Sequence, residues 1–158
     1  MENHEDTAYR NALNSALRIL ARRDHSVFEL TQKLSRRGYG EETVRRVVVE
    51  CGRLDYLDDR RAAAQLIDRM KRKGVGTRRI RHELKKIGMD EQQAEAQLRA
   101  SVTPAEERSL ARRVALKKWR TLAAEPDSQK RMLRLQRFLC YRGFSDALII
   151  EMLKEMRS

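Results

Sequence analysis

The chain has little of what punctuates or staples most folds: two prolines, seven glycines, two cysteines and one tryptophan in 158 residues, with aromatics at 5%. Each shortage excludes something. Two cysteines cannot make the framework of a small disulfide-held domain. Cys51 and Cys140 also lack a cysteine or histidine neighbour at metal-ligand spacing, so both are expected as reduced, partly buried small hydrophobes. No apolar run approaches the roughly 18 residues that cross a bilayer. The start, MENHEDTAYR, is acidic where a secretory leader is basic and then apolar. A cytoplasmic protein with no membrane partner is expected.

What is present is charge on a helix-forming background. Lys and Arg number 35 against 23 Asp and Glu, giving a formal charge of +12 and a pI near 10.3. That balance favours a polyanionic partner through counterion release, or an acidic protein surface through long-range steering. Leu, Ile, Val and Phe make up 35 of the 158 residues, about 22%, just above the level at which high charge leaves a chain disordered. Ala, Leu, Glu, Lys, Arg and Gln dominate, and these residues lose least on entering a helix. An all-α fold with a thin core follows.

Helix starts and stops are legible. Ser26 to Glu29 and Asp90 to Gln93 have the residue types of a capping box. Thr103-Pro104-Ala-Glu106 adds a proline where its missing amide hydrogen costs nothing. Arg36-Arg37-Gly38, Lys85-Lys86-Ile-Gly88 and Tyr141-Arg142-Gly143 each put cations in a last turn, followed by a glycine able to take the left-handed cap conformation.

Aligned on those glycines, the segments repeat. Leu30, Ile80 and Leu135 coincide, as do Leu34, Leu84 and Leu139; Tyr39, Met89 and Phe144; Val44, Ala94 and Ile149; and Val48, Leu98 and Leu153. The offsets are 50 and 55 residues, a period of helical arrays or tandem small bundles. Each unit reads as three helices. The first uses about Thr7 to Arg23, Val27 to Arg37 and Glu41 to Leu54. The second has one opened by Asp58 and Asp59, with Ala63, Leu66, Ile67 and Met70 as its stripe, then Thr77 to Ile87 and Glu91 to Val102. The third uses Ala105 to Leu122, Ser128 to Arg142 and Asp146 to Arg157. The expected architecture is an all-α tandem array of three three-helix repeats. Residues 1–6 are a mobile terminus, and the repeats span residues 7–56, 57–102 and 103–158. Bundles of about 50 residues cannot each bury much, so neighbours should lean on one another.

A search for chemistry finds little. His4, His25 and His82 lie apart in sequence and read as surface residues, with His25 at a helix boundary. Asp58 and Asp59 are a carboxylate pair, but they precede an apolar-periodic helix and read as caps rather than a magnesium site. Gly74-Val-Gly76-Thr77 lacks the lysine of a P-loop and any strand leading in, so it reads as a tight turn whose glycines supply positive φ. Trp119, flanked by Lys117, Lys118 and Arg120, reads as a core anchor before a base-stacking platform, since Leu116 and Leu122 surround it at helical spacing. No cofactor, metal or catalytic residue is expected.

The stretch from Lys71 to Gly88 holds eight Lys and Arg against one carboxylate, Glu83. On a helical wheel Ile80, Leu84 and Ile87 cluster, and Arg78, Arg81, His82 and Lys85 fall broadly opposite. A solvated face usually mixes signs, so this one is read as a binding surface. Candidate contacts are Lys71, Arg72, Lys73, Arg78, Arg79, Arg81, Lys85 and Lys86, joined in the third unit by Arg112, Arg113, Lys117, Lys118, Lys130, Arg131 and Arg134. Charge spread over successive units suits a long, sequence-tolerant contact better than one recognition helix reading a short operator.

These residues resemble the RecX family of regulatory proteins of the RecA recombinase. The resemblance rests on Ala16-Leu-Arg-Ile-Leu-Ala21-Arg-Arg-Asp-His25-Ser26 and Arg37-Gly38-Tyr39; on Leu54-Asp55-Tyr56-Leu57-Asp58-Asp59-Arg60-Arg61; and on Arg72-Lys73-Gly74-Val-Gly76, Arg79 to Gly88 and Arg142-Gly143-Phe144-Ser145. Together they run from about Ala12 to Met156. One departure is Ala62, where family members commonly carry phenylalanine. The resemblance implies an elongated and curved array of the repeats, a non-enzymatic inhibitor that lies in the groove of the RecA filament on single-stranded DNA, suppresses ATP hydrolysis, strand exchange and coprotease activity, and also binds single- and double-stranded DNA. A monomer is expected. The alternative is a helix-turn-helix protein acting alone on DNA.

Overall fold

The structure, a computed structural model, describes residues 4–157, and among these every regular element is an α-helix. The first three are α1 (His4–Leu20), α2 (Val27–Arg36) and α3 (Glu41–Arg53). The next three are α4 (Asp59–Arg72), α5 (Thr77–Lys86) and α6 (Glu91–Ser101), and the last are α7 (Pro104–Thr121), α8 (Ser128–Arg142) and α9 (Asp146–Arg157). The all-α expectation holds. Of the terminus expected to be mobile, residues 1–3 lie outside the described residues, and His4 to Asp6 belong to α1.

The boundaries follow the caps. Ser26, Asp90 and Thr103 each accept from the backbone amide three residues on, and Glu29, Gln93 and Glu106 reach back, so all three capping boxes form. Gly38, Gly88 and Gly143 have φ of 87°, 97° and 85°, the left-handed region in which a Cβ is strained. α1 starts and ends three residues before its expected bounds. Past Leu20 the backbone tightens, the Arg22 amide donating to the Ile19 carbonyl at 3.3 Å, and the Arg23 side chain donates to the Asp24 carbonyl at 2.8 Å and to Glu29 Oε1 at 2.7 Å.

The chain divides into two compact units, one running through Leu66 and including Lys86–Met89, the other comprising Ile67–Lys85 and Asp90 onward. In the first, the helices α1 to α3 enclose Ala12, Ala16, Leu30, Leu34, Val44, Val47 and Cys51. In the second, α7 to α9 enclose Ala111, Ala115, Leu135, Leu139, Phe144, Ile149 and Met152. Leu30, Leu34, Leu135 and Leu139 are fully buried, the positions aligned on the cap glycines. Truncating any of them to alanine costs about 2–5 kcal/mol.

Two turns dock closely. In the first unit the Ser26 hydroxyl donates to the Ile87 carbonyl at 2.6 Å, and the Val27 amide donates to Asp59 Oδ1 at 2.8 Å. Asp58 caps α4, accepting from the Arg61 amide at 3.0 Å, whereas Asp59 ties α4 to the start of α2. In the second unit the Gly76 amide donates to the Arg142 carbonyl at 2.8 Å and the Arg78 amide to the Gly143 carbonyl at 3.0 Å. Gly74 has φ of 73°, as expected of a tight turn. Gly76 does not have positive φ; it is required because a Cβ there would lie 2.5 Å from the Gly143 carbonyl oxygen.

Candidate nucleic-acid interface

α5 begins with no acidic residue in its own first turn. The carboxylate that its amide end favours comes from α7 instead: Glu107 Oε1 accepts from the Thr77 amide at 2.9 Å and from the Thr77 hydroxyl at 2.7 Å. The amide end after Gly76 is thus satisfied by protein.

The same rule governs the cations of α5. Arg78 forms a two-pronged pair with Asp146 of α9. Arg81 donates to Glu95 Oε2 at 2.7 Å and lies 3.7 Å from Glu91 Oε1, and Lys85 pairs with Glu91. Arg79 is half-buried, over the Tyr141 ring at 4.7 Å and donating to the Tyr141 carbonyl at 3.2 Å. Lys86 is engaged as well. The reading of this face as uncompensated is therefore corrected. The acids missing from the local sequence are supplied by α6 and α9, which turn much of the face into mixed-charge packing.

Several third-unit candidates are also paired. Arg112 lies 3.0 Å from Glu155, Arg134 3.1 Å from Glu125, and Lys130 3.9 Å from Asp127 within its own helix turn. Lys71 is half-buried, donating to the Ser101 carbonyl at 3.3 Å and lying 3.7 Å from Glu106. Arg131 lies 3.7 Å over the Trp119 ring and donates to the Trp119 carbonyl at 3.1 Å. Trp119 packs against the core of the second unit and has that face covered, so it serves as an anchor.

What remains converges. Arg72, Lys73, Arg113, Lys117 and Lys118 line one cleft of about 370 Å³ in the second unit, with Phe138 and Arg142 along its wall and no carboxylate among the described residues lining it. Arg113 and Lys117 are exposed and one turn apart on α7. Arg142 is steadied by a bond of 2.6 Å to the Lys73 carbonyl and lies 5.0 Å over Phe138, and Lys118 lies at the same distance from that ring. Five of the fifteen candidates thus form one concave cationic surface.

Sequence reasoning missed a second basic surface. His25 is buried rather than exposed, a correction to its surface reading. Its Nδ1 lies 2.9 Å from the Arg23 carbonyl and its Nε2 2.8 Å from Lys33 Nζ. The first contact requires Nδ1–H, which leaves Nε2 to accept from the ammonium. The imidazole is held below its ordinary value, first by burial and then by the Arg23 and Lys33 charges, against opposing help from the Arg23 carbonyl and Glu29. Burial would push the Glu29 carboxyl up, but hydrogen bonds from Arg23 and the Ser26 amide outweigh it and hold it down. Around His25 lie Arg18, Arg22, Arg36 and Arg37. The paired arginines at 22–23 and 36–37 were the available signal, and the second pair was absorbed by its reading as helix-end charge.

Fold and surface together define an all-α, polybasic protein of small helical modules with concave cationic faces. Comparisons agree with that class. The profile of the RecX first three-helix domain matches residues 12–51, and that of the RecX third three-helix domain matches residues 106–153. Regulatory protein RecX of Legionella pneumophila (strain Corby) is 34% identical over 149 residues, covering 93% of this chain and 95% of that protein. Its counterpart in Vibrio parahaemolyticus serotype O3:K6 is 37% identical over 131 residues, covering 83% and 82%. A crystal structure of RecX from Lactobacillus salivarius shares the fold at a TM-score of 0.79 and 20% identity, covering 96% of this chain and 97% of that one. A crystal structure of regulatory protein RecX has a TM-score of 0.78 at 26% identity, covering 94% and 72%. The chain belongs to the RecX family.

Proposed function

We propose that this chain is a non-enzymatic inhibitor of the RecA recombinase that seats itself in the groove of the RecA filament on single-stranded DNA. The likeness to regulatory proteins over nearly the whole chain carries this reading. It acts as a cytoplasmic monomer built from repeats at residues 7–56, 57–102 and 103–158. No bond is made or broken by the binder. A body occupying the groove excludes incoming duplex and hinders the subunit rearrangement that accompanies ATP turnover, which suppresses ATP hydrolysis, strand exchange and coprotease activity together. Contacts from successive repeats gain from linkage, since once one is made the next is effectively intramolecular.

The cleft of Arg72, Lys73, Arg113, Lys117 and Lys118 supports a phosphate or carboxylate contact in that groove, because its charges are not neutralised from within. The paired cations Arg78, Arg81 and Lys85 have the smaller share. The test is a titration of RecA ATPase on single-stranded DNA with bare DNA as competitor. Suppression at low stoichiometry that excess bare strand does not relieve supports the filament as target. A protein acting alone on DNA would instead be drawn off by the competitor, with no ATPase effect beyond strand sequestration.

A further inference from the structure

In the first unit the C-terminal end of α1 and the outer side of α2 enclose an open cleft of about 990 Å³. Arg18, Arg22, Arg23, Lys33, Arg36 and Arg37 line it together with the buried His25, and no carboxylate is among the described residues lining it. The nearest acids are already engaged: Glu29 neutralises Arg23, one of the lining residues, and Asp24 lies 2.9 Å from Arg61, outside the cleft. Among the described residues Arg36 donates to the Gln32 side chain at 3.4 Å and Arg37 to the Ser15 hydroxyl. The crowding shows in Lys33, whose ammonium is held below its ordinary value by burial first and then by Arg23, Arg37 and Arg22, against Glu29. With Arg23 paired, the other five of the six lining cations repel one another around a concavity and gain when an anion enters.

The arrangement recurs in the second unit. Arg37 and Arg142 each precede the cap glycine of their repeat, and each lines a cationic cleft. Arg18 and Lys117 each stand two positions after a fully buried alanine, Ala16 and Ala115, and line the same two clefts. Two separate cores thus present a basic residue at matching places of the repeat. A solvated face has no reason to keep that match.

We propose that the Arg18–Arg22–Arg36 cleft of the first unit is a phosphate-binding site that holds the sugar-phosphate backbone of nucleic acid without regard to base sequence or strandedness. Its lining decides the occupant. No Phe, Tyr or Trp is among the described residues lining it, and His25 is 2% exposed, so no open platform exists on which an unstacked base could rest. Among the described lining residues the apolar ones are Ile19 and Ala21, too little to anchor the side chains that carry protein–protein affinity. Guanidinium forks suit phosphate oxygens in pairs. The site needs no recombinase and stands whether or not the filament reading holds.

The experiment compares the full chain with R18A/R22A/R36A by fluorescence anisotropy, on a labelled oligo-dT and on a duplex of equal length, over a range of salt. R45A, which removes a charge paired with Glu42 on α3 of the same unit, is the control for charge alone. Arg37 is left intact because it bonds to Ser15. The triple variant is expected to bind both DNAs on the order of tenfold more weakly. Its log–log salt slope should be shallower by about 0.7 per lost contact on the single strand and about 0.9 on the duplex. R18K/R22K/R36K should retain most of the slope, since a point charge still neutralises phosphate. Thermal melting of each variant separates loss of binding from loss of fold. Parent-like affinity and slope on both DNAs in a folded triple variant overturns the site. A loss confined to the single strand overturns the backbone assignment in favour of base contact. If bare-DNA binding is intact while inhibition of RecA ATPase is lost, the cleft serves an acidic protein surface and the phosphate assignment fails.

Discussion

Arg78 and Asp146 face each other with two parallel hydrogen bonds, Nη1 to Oδ1 at 2.9 Å and Nη2 to Oδ2 at 3.0 Å, across 68 residues of sequence. The pair sits above the docked turns at Gly76 and Gly143, so it fastens the start of α5 to the start of α9. Hydrogen bonding to Asp146 raises the guanidinium's affinity for its proton, and the same bonds hold the carboxyl below its ordinary range. Both side chains are exposed, and salt screens such a pair. R78A and D146A are each expected to lower the melting midpoint slightly in low salt, with the double variant no worse than either. In about 1 M salt the differences should vanish. Additive losses in the double variant would show that the two residues act independently.

The close approach beneath that pair makes a sharper prediction. A Cβ at Gly76 would meet the carbonyl oxygen of Gly143 at 2.5 Å, and a Cβ at Gly143 would meet Arg79 Cβ at 2.4 Å. Both contacts are with backbone or with the root of a side chain, so neither can swing aside. G76A is expected to cost about 1–3 kcal/mol in urea unfolding. G143A should cost at least as much, since φ of 85° is strained as well. Gly52 has open space around its Cβ position and lies inside α3. G52A should therefore stabilise by roughly 0.5–1 kcal/mol. If G76A melts with the parent, the turns are not held together as described.

The contrast between Gly76 and Arg78 shows what could be read in advance. Capping boxes, cap glycines and the stripe from Leu30 to Val48 are local, set by residues three or four apart, and each of them formed. That Gly76 matters was visible, but its reason was not, because the obstructing atom belongs to a residue 67 positions away. The partners of Arg78 and Arg81 hid for the same cause. Asp146 and Glu95 come from other helices, and a wheel drawn for α5 alone cannot contain them. A deficit of acids within one helix marks a candidate surface only after the neighbouring helices have been allowed to supply theirs. Arg113 and Lys117 passed that test, and Arg18 and Arg22 would have.

His25 supplies a pH dependence. Its imidazole is buried, faces Arg23, Lys33 and Glu29, and is held below its ordinary value near 6.5. The unfolded chain takes up a proton there before the folded one does. The stability contribution is therefore complete above about pH 6.5 and is lost as pH falls from there toward the folded-state value. The melting midpoint is expected to drop between about pH 7.5 and 5.5, a range above that in which Glu29, held below its ordinary value of 4.5, begins to matter. H25Q keeps one donor and one acceptor but cannot titrate, and should flatten this part of the profile. An unchanged slope in H25Q would remove His25 as the cause.

The cleft of the second unit predicts that position outweighs charge. Arg113 and Lys117 line it without a carboxylate partner among the described residues, whereas Arg112, one residue along the same helix, lies 3.0 Å from Glu155, and Arg134 lies 3.1 Å from Glu125. R113A/K117A and R112A/R134A each remove two charges from a formal +12, so any effect of overall charge is the same in both. An unpaired cation can release counterions on meeting phosphate, but a paired one must first give up its carboxylate. R113A/K117A is therefore expected to weaken DNA binding several-fold, with a salt slope shallower by about 1.4–1.8, and to need correspondingly more protein for half-suppression of RecA ATPase. R112A/R134A should stay within about twofold of the parent in binding and show its loss in melting instead, because Glu155 and Glu125 are left without partners. Equal binding losses in the two variants would mean that the protein meets its polyanion by net charge alone and that the cleft has no special part.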